Sequence, residues 1–472
     1  MHIQTNTNGR TLILAVLLPI FLSLCAPAFS QDEKKEQEEP QTEEETDEWF
    51  ALQGGDIYTG TGAVLRGATV LSKNGTIDEI GYDLFIPEGA EVLDVSGYRV
   101  YPGLVAIESR GLFGGSSDLA NSVDPFSKNM TLALAAGVTT ARSGSEVAKL
   151  RAGHIDGLVL NSGILPRLSY SKSSPSGKRT LREKFEAASQ YLRDYAQWQI
   201  DKKSDKELKE PSKKGIDSSI LRYLRGEARP LFSASQRTDL LEIARLAQRF
   251  GFRPIIDGCQ EGWIVADELG RAGASAILTA RDRSSKGEQL VRAGGSSIEN
   301  AAILHRAGVS VTIIPSSAGI SLGGIVGRDL MHLTVEAGYA VRGGLSEKAA
   351  LDSITIEPAR LMGVSQRVGS IEVGKDADMI ITDGDVLHYQ TFVQWAVVAG
   401  EVVYDKQAEL YFAHIRPRPE AALSPEERLD AGETPEEEIV EEAGDSDSPG
   451  EGNEEGDGED HDEDDGDGGS RP

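Results

Sequence analysis

The sequence predicts an α/β fold, and three observations point to it. Between residues 101 and 364, short apolar runs alternate with segments of helical periodicity. Their spacing calls for crossover helices between parallel strands, closed as a barrel or doubly wound. On both sides of this region, at 50–100 and 366–404, short strand-like runs are separated by Gly, Pro and Asn turn signals.

The chain has 472 residues, enough for one large α/β domain with a smaller companion. Residues 1–30 read as a cleaved secretory signal. Arg10 is followed by an apolar run over 11–25, and the small residues Ala28 and Ser30 precede Gln31. The run is short for a membrane span. The mature chain is therefore expected to be exported, to the periplasm or the extracellular space, with no membrane span after signal removal. Cys25 leaves with the signal, so Cys259 is alone and no intramolecular disulfide is expected.

Residues 31–48 form an acidic, polar linker expected to be disordered. In 49–102, strand-like runs at 63–71, 76–80 and 91–95 alternate with turns at Asn74-Gly75 and Pro87-Glu88-Gly89, predicting a small antiparallel β unit. The α/β body spans 103–364. It opens with a strand at 104–107 and an apolar segment at 131–136 leading into Gly137-Val138-Thr139-Thr140. Thr238 or Asp239 is placed to cap a helix with Leu240, Ile243, Ala244, Ala247 and Phe250 on one face and Gly251 at its end. A strand from Pro254, a helix at 263–269, a strand at 275–278, a helix at 298–306 and a strand at 309–314 complete the alternation. Residues 180–226 break the rhythm with a helical stretch at 180–199 and a charged segment at 201–214, and read as a helical surface insertion. In 365–412, runs at 369–373, 379–382 and 396–404 are strand-like again, and 413–472 is a disordered acidic tail.

The formal net charge of −28 belongs to the two ends. Residues 31–49 hold ten acids against two bases, and 419–472 hold 23 acids against two bases, which leaves the body between them near neutrality. No basic stripe stands out, so nucleic acid is excluded as a partner.

Four motifs resemble those of the amidohydrolase superfamily, nearest its imidazolonepropionase-like members. Gly369-Ser370-Ile371, followed by Gly374-Lys375-Asp376-Ala377-Asp378, is similar to the GSIxxGKxADLV signature. Ala349-Ala350-Leu351 through Thr355-Ile356-Glu357-Pro358-Ala359 resembles ALxxxTxxPA. Asp94-Val95-Ser96-Gly97 with Tyr101-Pro102-Gly103-Leu104-Val105 resembles the start of the family barrel, and Gly137-Val138-Thr139-Thr140 resembles its GVTT. The resemblance covers roughly 50–410. It implies a (β/α)8 TIM-like barrel with a composite β-sandwich built from both ends of the folded body, the reactive groups standing at the C-terminal ends of the strands.

The family activates water with zinc or another divalent metal held by imidazoles and carboxylates, to hydrolyse non-peptide carbon–nitrogen bonds. At the first histidine pair this chain has Glu108 and Arg110. A guanidinium repels a cation rather than binding one. Ser233 or Ser235 stands where the first middle-strand histidine belongs, and Gly258 or Asp257 where the second does. The last strand should end in an aspartate and runs instead into Pro315-Ser316-Ser317. The body holds only His154, His305, His332, His388 and His414, none in an HxH pair.

Other chemistries have little support. No Walker loop or HExxH occurs. Gly319-Ile320-Ser321-Leu322-Gly323 fits GxSxG, but 315–318 separates it from the strand that a nucleophile elbow requires. Cys259 has no identifiable base and reads as a buried cysteine. The expectation is an exported amidohydrolase-like protein that is catalytically silent, with no cofactor, binding an unknown small molecule or a related catalytic subunit. The alternative is an active metal-dependent amidohydrolase with atypical ligands, drawing on Glu108 and Asp257.

Overall fold

A computed structural model describes residues 47–114, 118–170, 174–282, 295–321 and 327–409. The expected signal at 1–30, the linker as far as residue 46, the tail 413–472 and the end of the GxSxG string at 322–323 lie outside the described residues.

The chain opens with β1 (Trp49–Tyr58), β2 (Val64–Lys73), β3 (Thr76–Gly81), β4 (Glu91–Asp94) and β5 (Arg99–Pro102). β1–β2 and β2–β3 are antiparallel hairpins, but β4 and β5 pair with β1 in parallel. The opening unit is therefore mixed rather than antiparallel. Residues 82–90 are too long for a hairpin turn and return the chain to the far side of β1.

The α/β body then runs through β6 (Leu104–Ala106), α1 (Leu119–Ser122), α2 (Lys128–Ala135), β7 (Val138–Ser143), β8 (Glu146–Lys149), β9 (Val159–Asn161), α3 (Pro175–Asp201) and α4 (Ser218–Leu224). It continues with β10 (Leu231–Ala234), α5 (Arg237–Phe250), β11 (Ile255–Gly258), α6 (Ala266–Arg271), β12 (Ser275–Leu278), α7 (Asn300–Arg306), β13 (Ser310–Ile313), α8 (Leu333–Arg342), α9 (Glu347–Asp352) and α10 (Ile356–Leu361). Last come β14 (Met379–Thr382), β15 (Val393–Val398) and β16 (Glu401–Asp405).

The ring of the barrel can be followed bond by bond. β6 pairs in parallel with β7, and β10, β11, β12 and β13 pair in parallel in that order. Between the two groups, β7 turns into the antiparallel β8–β9 pair, and Leu168 and Leu231 are tied by the bonds Leu168 N to Leu231 O and Leu231 N to Pro166 O. On the other side, Ile313 N donates to Ser353 O and Val105 N donates to Ile354 O, so 353–354 closes the ring. The fold is the expected α/β barrel with a sheet domain. Two of its wall segments, at 166–168 and 353–354, are too short in hydrogen bonds to form regular strands.

Local chemistry explains the helix boundaries. α5 begins at Arg237 with Gln236 at its cap, two residues ahead of Thr238 and three ahead of Asp239, the expected caps. The Arg237 N–H is taken by Glu261 from the loop after β11, so the helix needs no cap of its own there. Gly251 ends it in the left-handed region, as expected. The 263–269 segment divides into a single 3-10 turn, Gly262–Ile264, and α6. In α3, Ser174 caps the start and Leu181, Phe185, Ala188 and Tyr191 form the buried face. Phe185 stacks on Phe250 and Phe252, which fixes this long helix to the barrel wall.

The sheet domain joins both ends of the body. Its order is β16-β15-β14-β5-β1-β2-β3, with β14 antiparallel to β5. The expected strand at 369–373 is absent: this stretch is loop, tied to the sheet by Ile371 N to Thr59 O. Beneath the junction, Lys149 of β8 lies 2.7 Å from Asp376 and 2.8 Å from Asp378, all three side chains being largely buried. Arg367 also pairs with Asp376, and Ala399 N–H donates to Asp378.

Candidate functional site at the barrel mouth

The C-terminal ends of β6, β7, β10 and β11 open on one face, and their polar side chains meet there. Beyond β6, Ser109 turns inward and donates to Arg142 O at 2.8 Å. Its neighbours Glu108 and Arg110 therefore share the opposite side. Arg110 lies 3.2 Å from Glu108 Oε1, the ion pair that their spacing suggests.

Glu108 has two further partners. Arg142, at the end of β7, is almost fully buried. Its Nε donates to Ile107 O at 2.7 Å and its Nη1 to Gly144 O at 2.9 Å, while Nη2 lies 3.4 Å from Glu108 Oε2. Arg167 reaches in from the wall segment beside β10. One of its nitrogens lies 3.8 Å from Glu108 Oε2, and another bonds Ser233 Oγ at 3.1 Å and approaches Asp257 at 3.6 Å. Ser233 and Asp257 are register partners on β10 and β11, which is why one guanidinium touches both. Three arginines and two carboxylates thus share the mouth. Burial lowers the Arg142 guanidinium from its ordinary value, with Glu108 opposing that shift. Burial and the neighbouring Glu108 push the Asp257 carboxyl up, against the pull of Arg167 and Arg142.

The other expected positions are separate from this cluster. Gly258 has φ +101°, and a Cβ on it would sit 2.8 Å from Ser235 Oγ. An imidazole could not be carried there without moving Ser235. Ser316 is exposed and bonds Arg328 O, and the segment after it meets the mouth through Arg110 N to Ala318 O at 2.9 Å. Cys259 is fully buried, and burial pushes its thiol up to about 12, so it is no nucleophile.

The described histidines are not part of the cluster either, and His414 lies outside the described residues. His154 sits in its loop beside Ala152 O and Glu401, and His305 lies on α7. His332 ends a 3-10 turn, Leu330–His332, with Nδ1 2.8 Å from Asp329. Arg142 and Arg167 do not stand out in the sequence. Their only signal is a lone charge within otherwise apolar stretches, two residues after Thr140 and one after Pro166.

The chain matches the profile described as Amidohydrolase family over residues 126–408. An amidohydrolase of Hapsidospora irregularis is 32% identical over 95 residues, which cover 20% of this chain and 10% of that protein. The match thus spans about a tenth of that relative's length. The crystal structure of an amidohydrolase from Thermotoga maritima covers 76% of this chain and 100% of its own at 22% identity, with a TM-score of 0.58. An adenosine deaminase from Xanthomonas campestris, solved with bound zinc, covers 75% of this chain and 92% of its own at 17% identity and a TM-score of 0.46.

These findings correct one expectation. The profile match places the chain among amidohydrolases, a family that uses divalent metals, so the expectation of no cofactor does not hold. Whether the residues of this mouth fit such a metal is a separate matter of donor chemistry, and they do not. Both Glu108 oxygens are engaged by guanidinium groups, Gly258 offers no side chain, and Ser233 is tied to Arg167. Among the described residues, no group of three or more His, Cys, Asp or Glu could hold a metal ion. A unit positive charge 4 Å from a guanidinium is repelled by about 4 kcal/mol at an effective dielectric of 20. The profile match covers well over half of the chain, and with it this protein belongs to the amidohydrolase family.

Proposed function

We propose that this chain is an exported amidohydrolase-family protein that is catalytically silent and works by binding a small molecule at its barrel mouth. One observation carries the reading. The carboxylate at the family's first ligand position, Glu108, is held on both oxygens by Arg110, Arg142 and Arg167. A cation approaching this carboxylate would meet three guanidinium charges, and the donors already on both oxygens compete with any reacting water for it. Asp257, the other acid of the mouth, faces the guanidinium of Arg167 in the same way. The arrangement suits holding a polar molecule rather than transferring a proton.

The test is turnover. The purified protein, with and without added zinc or manganese, is incubated with cyclic amides, acyl amino acids and an N-acetylated amino sugar. The expected result is no hydrolysis above the uncatalysed rate. Hydrolysis that is lost in Glu108→Gln or Asp257→Asn would overturn the reading in favour of an active enzyme with atypical ligands.

A further inference from the structure

Resting on the reading of the mouth as a binding site, we propose that its ligand is a small monocarboxylate gripped by Arg110 and Arg167. The three arginines of the mouth differ in what they have left to give. Arg142 has its Nε and both terminal nitrogens engaged, and its side chain is only 8% exposed, so it is a fixed part of the wall. Arg110 is 79% exposed and makes one side-chain contact among the described residues, to Glu108. Arg167 is 54% exposed, and its approaches to Asp257 and Glu108, at 3.6 and 3.8 Å, are longer than good hydrogen bonds. Arg167 also donates Nη1 to Ser233 Oγ at 3.1 Å, so each of the two keeps exposed N–H groups beyond the contacts it makes, one guanidinium beside each oxygen of the Glu108 carboxylate. A guanidinium fork matches the two oxygens of a carboxylate.

Charge selects among anions. Among the described residues of the cluster, three guanidiniums against Glu108 and Asp257 leave one positive charge uncompensated. A single negative charge neutralises it. The second charge of a phosphate dianion would stand unpaired beside two carboxylates, at a cost that grows as the mouth excludes water. Asp257 and Glu108 also remain as acceptors, which favours a carboxylate whose body carries an N–H or O–H donor.

The test uses the mature protein titrated calorimetrically, at fixed ionic strength, with sodium acetate, sodium benzoate, sodium lactate and inorganic phosphate. Saturable binding of the carboxylates is expected, lactate ahead of acetate and phosphate weakest. Arg110→Gln and Arg167→Gln should each weaken carboxylate binding by about tenfold. Arg249→Gln, on the exposed side of α5, should leave it unchanged. Phosphate binding as tight as the carboxylates and lost in the same two variants would overturn the ligand class while leaving the mouth a binding site. Carboxylate binding indifferent to both variants, or no anion bound at all, would overturn the proposal. Hydrolytic turnover would overturn the reading on which it rests.

Discussion

Replacing Lys149 with Met should destabilise the protein more than any single change at the barrel mouth. The Lys149 ammonium sits between Asp376 and Asp378, and the three side chains are only 4%, 11% and 2% exposed. Removing it leaves two carboxylates in the same dry pocket. Asp376 keeps Arg367 at 2.8 Å, and Asp378 keeps only the Ala399 N–H at 2.8 Å. Breaking a buried pair from one side costs about 3–5 kcal/mol, because the remaining charge is uncompensated. For a folded body of this size that is a fall in Tm of about 4–7 °C.

The pH dependence identifies the cause. Burial already pushes the Asp378 carboxyl up, and Lys149 is the main influence holding it down. Without Lys149 the folded value rises further above the unfolded one. The native state then binds a proton more tightly than the unfolded state, and the penalty is relieved as the pH falls through that raised value. Thermal unfolding of wild type and Lys149→Met, followed by circular dichroism at pH 7.5 and 5, should show the gap narrowing at the lower pH. Combining Lys149→Met with Asp376→Asn and Asp378→Asn should recover most of the loss. A gap below about 1 kcal/mol, or one equal at both pH values, would refute the buried-charge account.

Three further outcomes follow from the packing of the same body. Gly258→Ala forces a side chain into φ +101° against Ser235 Oγ and should cost about 2–3 kcal/mol, read as a lowered urea midpoint; an unchanged midpoint would show that the loop after β11 relaxes freely. Cys259 should resist a thiol reagent at pH 8 until the protein unfolds. Its folded pKa of about 12 lies above the ordinary thiol value, so its contribution is whole below about pH 8.5 and is lost as the pH rises toward 12. Cys259→Ala should therefore flatten the alkaline decline in stability by up to about 1.4 kcal/mol per pH unit, and parallel curves would refute this. Deleting 366–409 strips β14 from β5 and should give an insoluble or non-cooperative product, whereas a soluble, cooperatively unfolding remainder would contradict the shared sheet.

The periodic parts of the fold were legible and the irregular ones were not. Ser275–Leu278 and Met379–Thr382 are strands at the expected residues, because an unbroken apolar run buried on both faces admits few other structures. The start of α5 shifted because its first N–H is satisfied by Glu261, a contact 24 residues away that no local pattern announces. The strand expected at 369–373 failed for a related reason. Ile371 is buried but Val373 is exposed, so the apolar alternation stops there, and the stretch meets the sheet through single bonds, Ile371 N to Thr59 O and then Gly374 N to Ile77 O, rather than through a ladder. At the mouth, Glu108, Arg110, Ser233 and Asp257 could be named from motif positions alone. Arg142 and Arg167, which decide the charge of the site, could not, since each is placed there by the closing of the barrel rather than by a motif.

The residues that make the family recognisable are chiefly those that hold the barrel to the sheet. Gly103 of the Pro102-Gly103 motif sits so close to Thr139 of Gly137-Val138-Thr139-Thr140 that a Cβ on it would lie 2.0 Å from Thr139 Oγ1, so two of the four motifs are in direct contact. Gly369 packs in the same way on Ile356, and this joins the other two. Asp376 and Asp378 of the Gly374-Lys375-Asp376 signature anchor Lys149. None of these contacts involves Glu108, Arg110, Arg142, Arg167 or Asp257. The packing that specifies the fold and the charges that set the chemistry of the mouth are therefore carried by separate residues. Substitutions at one set need not disturb the other. This chain keeps the four motifs that pack its fold while a cluster of three arginines and two carboxylates stands at the barrel mouth. For that reason the fold could be read from the motifs, while the activity has to be read from the five side chains at the mouth.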